Sequence, residues 1–169
     1  MERGATSETG IRARRSDVQE TAVTIAERTA ETVWVGPLAS GRGAVRANSG
    51  AFDSLAVTWS ARTERPGGMT SPEELAAAAH SSCFAMALSL RLGERRTAPE
   101  RLTVSATVVL DEVDGVPTIV SSALQVRGRV PDLDAAGFQS AVDEAAVLCP
   151  VSRLFAGAKI SVTAELEKT

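Results

Sequence analysis

Short extended stretches come first, over Thr32–Val35, Gly43–Ala47 and Leu55–Ser60, and in the last of them Leu55, Val57 and Trp59 alternate with smaller or polar neighbours. A period of two is the pattern of a half-buried strand. Asn48, Ser49 and Gly50 supply turn chemistry between two of these runs. The period then lengthens. Ser71 stands where a helix N-cap belongs, Pro72 at the first helical position, and Glu74 completes an S-x-x-E capping box. Leu75, Ala79, Cys83, Met86 and Leu90 follow on one face, and the opposite side is mostly Ala, Phe and Leu. A helix apolar nearly all round is expected at the centre of a fold, with Gly93 as its stop.

Beyond Pro99 the alternation returns. Leu102, Val104, Ala106, Val108 and Leu110 lead to an Asp114-Gly115 turn, and Val120, Leu124, Val126 and Val130 line the return strand, which predicts a hairpin. A second helix is expected from about Asp134, with Phe138, Ala141, Val142, Ala145 and Leu148 on one face. It breaks at Cys149-Pro150, because a residue before proline is pushed out of helical geometry. A short helix can restart at Pro150 and end at Gly157. A last strand follows, with Ile160, Val162, Ala164 and Leu166 alternating. No internal repeat is visible. The fold class is α+β.

The 169 residues fit one domain with a real core. A net charge of −3, without a basic stripe outside the N-terminus, argues against a nucleic-acid partner. No apolar run approaches the roughly 18 to 20 residues of a membrane span, and the N-terminus lacks the apolar segment of a secretory signal. Residues 1–27, polar and carrying Arg12, Arg14 and Arg15, read as a disordered extension ahead of a domain over 28–169. The expectation is a cytoplasmic protein without membrane partners. There, disulfides are usually catalytic or redox-sensing.

That makes the two cysteines the candidate chemistry. Cys83 lies mid-helix, whereas Cys149 lies at a helix start directly before a proline. The positive end of a helix favours a thiolate, so position alone makes Cys149 the more acidic thiol. Cys83 would need a cation from elsewhere in the fold to act as a nucleophile. Against both stands the common case, in which free cysteines are small buried hydrophobes.

The surroundings of the thiols change the balance. TSPEELAAAAHSSCFAMALSL (70–90) and AVLCPVSRLFAGAKISV (146–162) resemble the two motif segments of the OsmC/Ohr family (osmotically inducible protein C, organic hydroperoxide resistance). VWVGPLASGRGAVRANSGAF resembles its first hairpin, and VTWSAR its strand leading to a catalytic arginine. The resemblance runs from about residue 29 to the C-terminus and favours the OsmC branch. It implies antiparallel sheets around a long central helix in an intertwined homodimer. It also implies a cysteine-based peroxidase of oxidative and osmotic stress that acts on organic hydroperoxides without a cofactor or metal. By position, Cys83 would be the peroxidatic cysteine, Cys149 the resolving one, Glu73 the catalytic glutamate and Arg62 the catalytic arginine. Arg42, in the SGRG turn, is the alternative arginine, since Ohr-branch members draw theirs from that region.

In the chemistry so implied, the Cys83 thiolate attacks the distal peroxide oxygen. Arg62, held by Glu73, would lower the thiol pKa and stabilise the departing alkoxide. The sulfenic acid then condenses with Cys149, and a dithiol reductant, a lipoyl-bearing protein or a small thiol, restores the pair. Phe84 and Met86 would favour organic peroxides. Ten helical residues span about 15 Å, so Glu73 cannot touch Cys83 on its own helix. A second, antiparallel copy could bring the two together. Three other readings are weighed against this one. His80 and Cys83 share a helix face and could ligate zinc with Cys149 and a carboxylate. The fold could serve as a redox sensor or binding module with little turnover. Ser81 and Ser82 beside His80 lack a nucleophile elbow, which argues against hydrolysis.

Overall fold

The computed structural model describes residues 23–167, so most of the expected N-terminal extension lies outside the described residues. Regular structure begins with three antiparallel strands, β1 (Ala30–Val35), β2 (Arg42–Ala47) and β3 (Leu55–Val57), in that order across the sheet. The expected third strand is cut short. Thr58 accepts a hydrogen bond from the Ala61 N–H at 3.1 Å and caps a short helix, α1 (Trp59–Thr63). A threonine cap thus outweighs the alternation that Trp59 continues. Arg62 therefore sits on a helix rather than a strand.

The long helix α2 (Pro72–Glu94) starts where its signals place it, with the Ser71 hydroxyl accepting from the Glu74 N–H at 3.1 Å. Only half of the capping box closes, because the Glu74 carboxylate takes the Thr70 hydroxyl instead, at 2.7 Å. Gly93 is not the stop. The helix runs on to Glu94, and the chain turns at Arg96 with φ 60° while the Thr97 N–H returns to the Leu92 carbonyl.

The expectation of an all-round buried helix fails within one chain. His80, Phe84, Ala87, Leu88 and Leu92 are buried, whereas Met86 is 67% and Leu90 52% exposed. By length and mean hydropathy (1.3) α2 is also apolar enough to cross a membrane, contrary to the reading from the sequence. Its buried side explains part of that apolarity, by packing on strand β4 and helix α3.

The hairpin forms as β4 (Arg101–Val113) and β5 (Val116–Arg129). Asp114 (φ 52°) and Gly115 (φ 79°) both take left-handed backbone, as a tight two-residue hairpin turn requires. The register slips between Val109 and Leu110, which leaves Val120 without an opposite partner. Helix α3 (Ala135–Leu148), capped by Asp134, and helix α4 (Pro150–Leu154) then cross over to β6 (Lys159–Leu166). Strand β6 pairs with β5 in parallel, so the second sheet, in order β4-β5-β6, is mixed rather than antiparallel. A strand reached through a helical crossover returns in the direction it left, which is the geometry of a βαβ unit.

The core lies between this sheet and helices α2 and α3: Phe84, Leu88, Leu92, Leu124, Val126, Phe138, Val142 and Cys149 are almost wholly covered. Gly128 on β5 makes room for it, since a Cβ there would come within 2.5 Å of the Phe138 ring. By contrast every residue of β1 is exposed, including Val33, Trp34 and Val35.

Candidate active site

Proline fixes the position of one thiol. Pro150 holds Cys149 in extended geometry (φ −61°, ψ 115°), so this residue ends α3 and starts α4 with its side chain turned into the core. Cys83 arrives from α2, three turns past the cap and half-buried. The two sulfurs lie 3.1 Å apart, within hydrogen-bonding distance of each other. Cys149 is fully covered, so solvent reaches the pair from the Cys83 side.

The two thiols differ in acidity. Burial, and then the neighbouring Cys149, push Cys83 above its ordinary value, while the Val151 N–H pulls the other way. Burial would also raise Cys149. The Ser152 N–H, the Cys83 thiol and the Ser152 hydroxyl outweigh it and bring Cys149 below its ordinary value. Its sulfur makes no close cap bond, yet the amides of α4's first turn face it and favour negative charge. Within one chain, then, Cys149 is the more acidic thiol, as its place before Pro150 leads one to expect.

Arg62 and Glu73 form a second cluster. The Arg62 guanidinium gives Nη2 to Glu73 Oε1 at 2.7 Å, and its Nε lies 3.0 and 3.2 Å from Oε1 and Oε2. It also lies 5.7 Å from the centre of the Trp59 ring. Glu73, not Glu74, carries this pair, and Glu74 stays local to the cap. Arg42 opens β2, exposed, and makes no ion pair among the described residues. An apolar cleft of about 300 Å³ beside Arg62 is lined by Trp34, Leu38, Val57, Trp59 and Leu75. Burial alone would raise the Glu73 pKa, but hydrogen bonds and charge from Arg62 hold it below its ordinary value.

A depressed folded pKa means the pair stabilises fully above the ordinary carboxylate pKa of about 4.3, and less as pH falls through the folded value. Glu73→Gln is expected to cost about 1–3 kcal/mol near neutrality. In denaturant melts the gap from wild type should hold from pH 7 to about 5 and narrow below about pH 4.

The two clusters are not joined within one chain. Glu73 precedes Cys83 by ten helical residues, about 15 Å, and the groups acting on Cys83 are Val151 and Cys149, not Arg62. Phe84 is fully buried core and is not available to a substrate, whereas Met86 is exposed. His80 is committed elsewhere. Its Nδ1 lies 2.7 Å from the Ser122 hydroxyl and its Nε2 2.9 Å from the Ser152 hydroxyl, with the ring against Phe155. Both nitrogens are occupied, which removes His80 as a metal ligand. Ser122 and Ser152 were not singled out from the sequence. The signal was there: a lone histidine on a buried helix face must find polar partners.

Two facing thiols, one covered and one half-exposed, thus lie on an α+β scaffold with a separate arginine–carboxylate pair. The family follows from comparison. Residues 65–165 match the family model described as OsmC-like protein, and the chain belongs to that family. It is 40% identical over 121 residues to Peroxiredoxin OsmC of Escherichia coli (strain K12), covering 72% of this chain and 84% of that protein. The organic hydroperoxide resistance protein of Xanthomonas axonopodis pv. citri is 32% identical over 101 residues, covering 59% of this chain and 68% of the relative. Among solved structures, the organic hydroperoxide resistance protein OhrB of Bacillus subtilis superimposes with a TM-score of 0.62 at 28% identity, over 82% of this chain and 98% of that one.

Proposed function

We propose that this chain is a thiol-dependent peroxidase that reduces organic hydroperoxides, with Cys83 as the thiol oxidised first and Cys149 as the thiol that resolves it. The observation that carries this reading is the 3.1 Å approach of a half-exposed and a fully covered sulfur. A peroxide must reach the sulfur it oxidises, and only Cys83 is within reach of solvent. The Cys83 thiolate attacks the distal oxygen, the O–O bond breaks, and the departing alkoxide takes a proton to become an alcohol. The Cys149 sulfur then attacks the sulfenic sulfur. The S–S bond forms, the S–O bond breaks, and hydroxide leaves to become water. A dithiol reductant, such as a lipoyl-bearing protein or a small thiol, returns both cysteines to the reduced state.

Cys83, raised by burial and by its neighbour, needs a cation to ionise. Arg62, fixed by Glu73, is the candidate, and it reaches Cys83 if the working unit is an intertwined homodimer. The exposed β1, with Val33 and Val35 uncovered, and the uncovered Met86 and Leu90 of α2 offer the apolar surface such a dimer would bury. Two antiparallel α2 helices then set the partner subunit's Arg62 against Cys83. The apolar cleft beside Arg62 favours an organic tail on the peroxide. The peroxidase domain in this reading spans 28–169, and a cytoplasmic location suits a disulfide that must be reduced between turnovers.

The test is steady-state consumption of cumene hydroperoxide and of hydrogen peroxide with a dithiol reductant. The expected result is a kcat/KM for the organic peroxide about tenfold or more above that for hydrogen peroxide. A protein that forms the disulfide but turns over slowly with both would be a sensor on the same fold, and the enzyme reading would fall.

A further inference from the structure

A buried histidine one turn from Cys83 has no part in the chemistry above. His80 is fully covered, and its partners come from two other segments: Ser122 on β5 and Ser152 on α4. Burial lowers its pKa, so the ring is neutral, with one N–H and one bare nitrogen to share between two hydroxyls. The Ser152 hydroxyl is not an arbitrary partner. It lies on the first turn of the helix that Cys149 caps, three residues after it, and its hydroxyl favours negative charge on the Cys149 sulfur. A hydroxyl has a single proton. If Ser152 donates that proton to sulfur it must accept from His80 Nε2–H, which leaves Nδ1 to accept from Ser122.

We propose that His80 is a positioning residue for the resolving step: through its 2.9 Å contact it holds the Ser152 hydroxyl turned toward Cys149, so that Cys149 stands ready to attack the oxidised Cys83. The proposal rests on the peroxidase reading and deepens it. Close contacts run from Ser122 through His80 to Ser152, which stands three residues after Cys149 at the start of α4, and Cys149 in turn lies 3.1 Å from Cys83. The step assisted is the one already balanced: S–S forms, S–O breaks, and the leaving hydroxide takes a proton from solvent. From α2 the titratable group facing Cys149 is Cys83, from α4 the Ser152 hydroxyl acts as a neutral hydrogen-bonding group, and from β5 Ser122 reaches the histidine. Within one chain, no carboxylate, lysine or arginine among the described residues bears on His80 or Cys149, and Arg153 on α4 is exposed. Within one chain and among the described residues, the hydroxyl is thus the one side chain besides Cys83 that favours charge on the Cys149 sulfur.

The test compares Ser152→Ala, His80→Gln and His80→Phe in single-turnover experiments with cumene hydroperoxide across pH. They follow sulfenic acid formation at Cys83 separately from disulfide formation. In parallel, the Cys149 thiolate is titrated by its ultraviolet absorbance in the Cys83→Ser background. Losing a hydrogen bond to an ionised group should move the Cys149 midpoint up by about one to two pH units, and slow disulfide formation about tenfold or more at neutral pH. His80→Phe should reproduce the Ser152→Ala result, and His80→Gln, which keeps an N–H near Nε2, should recover most of the rate. Unchanged midpoint and resolving rate in Ser152→Ala would overturn the proposal. So would a shift in Ser152→Ala with both His80 variants at wild-type values. If His80→Phe does not fold, Ser152→Ala and His80→Gln decide. Should wild type form no sulfenic acid with the hydroperoxide, the peroxidase reading fails instead, and the thiolate titration still tests the contact.

Discussion

Replacing Cys83 with serine is expected to abolish organic hydroperoxide turnover, with kcat/KM falling by roughly 10⁴-fold or more, since the proposed nucleophile is lost. Cys149 cannot take over. It is the more acidic thiol within one chain, yet it is fully covered, and a peroxide would have to cross the core residues that pack over it. Acidity without access is not reactivity. The converse change behaves differently. Cys149→Ser keeps the first oxidation but has no partner to trap the sulfenic acid, so excess peroxide drives Cys83 toward sulfinic acid and activity decays over the first turnovers. Peroxide consumption traced with and without added thiol separates the two variants. Equal loss of the first oxidation in both would argue against the assigned order of the thiols.

Arg62→Ala should lose about 10²- to 10³-fold in kcat/KM, the usual cost of removing a group that stabilises a developing anion. Its partner argues for the size of the effect: Glu73 fixes the guanidinium side-on through three contacts of 2.7 to 3.2 Å, which restricts its orientation. The sharper expectation concerns which chain supplies it. Glu73, which holds Arg62, lies ten helical residues, about 15 Å, from Cys83, so in the proposed homodimer arginine and cysteine meet across two copies. Arg62→Ala and Cys83→Ser, each inactive alone, should therefore complement when co-expressed. In a mixed two-fold dimer one of the two sites has both groups, so random mixing should restore about a quarter of wild-type activity. If arginine and cysteine met within one chain, the mixture would stay inactive.

Local chemistry was the most legible part of the sequence. Ser71 and Pro72 start α2 where they stand, Asp114-Gly115 makes the hairpin turn, and Pro150 breaks the helix at Cys149. Each is a short-range steric or hydrogen-bonding preference that needs no distant partner. The Arg62–Glu73 pair was expected from the family resemblance and is present, although Arg62 lies on a helix that Thr58 caps. Tertiary features were harder to read. Nothing in the alternation of Ile160, Val162 and Ala164 says whether β6 runs with or against β5, because both pairings bury one face. Likewise α2 is apolar on two sides, and periodicity alone does not say which side its own sheet covers. The stripe through His80, Phe84 and Leu88 turned inward, and the one ending in Met86 and Leu90 stayed open. The hydroxyls that satisfy His80 lie 42 and 72 residues away along the chain, beyond the reach of any local pattern.

The measurement that bears most directly on the central claim adds one equivalent of cumene hydroperoxide to the reduced protein, followed by intact mass and peptide mapping. The account predicts a loss of about two mass units, with Cys83 and Cys149 of the same chain joined. A mass unchanged with both thiols free, or an oxygen gained on Cys149 while Cys83 stays reduced, would contradict it.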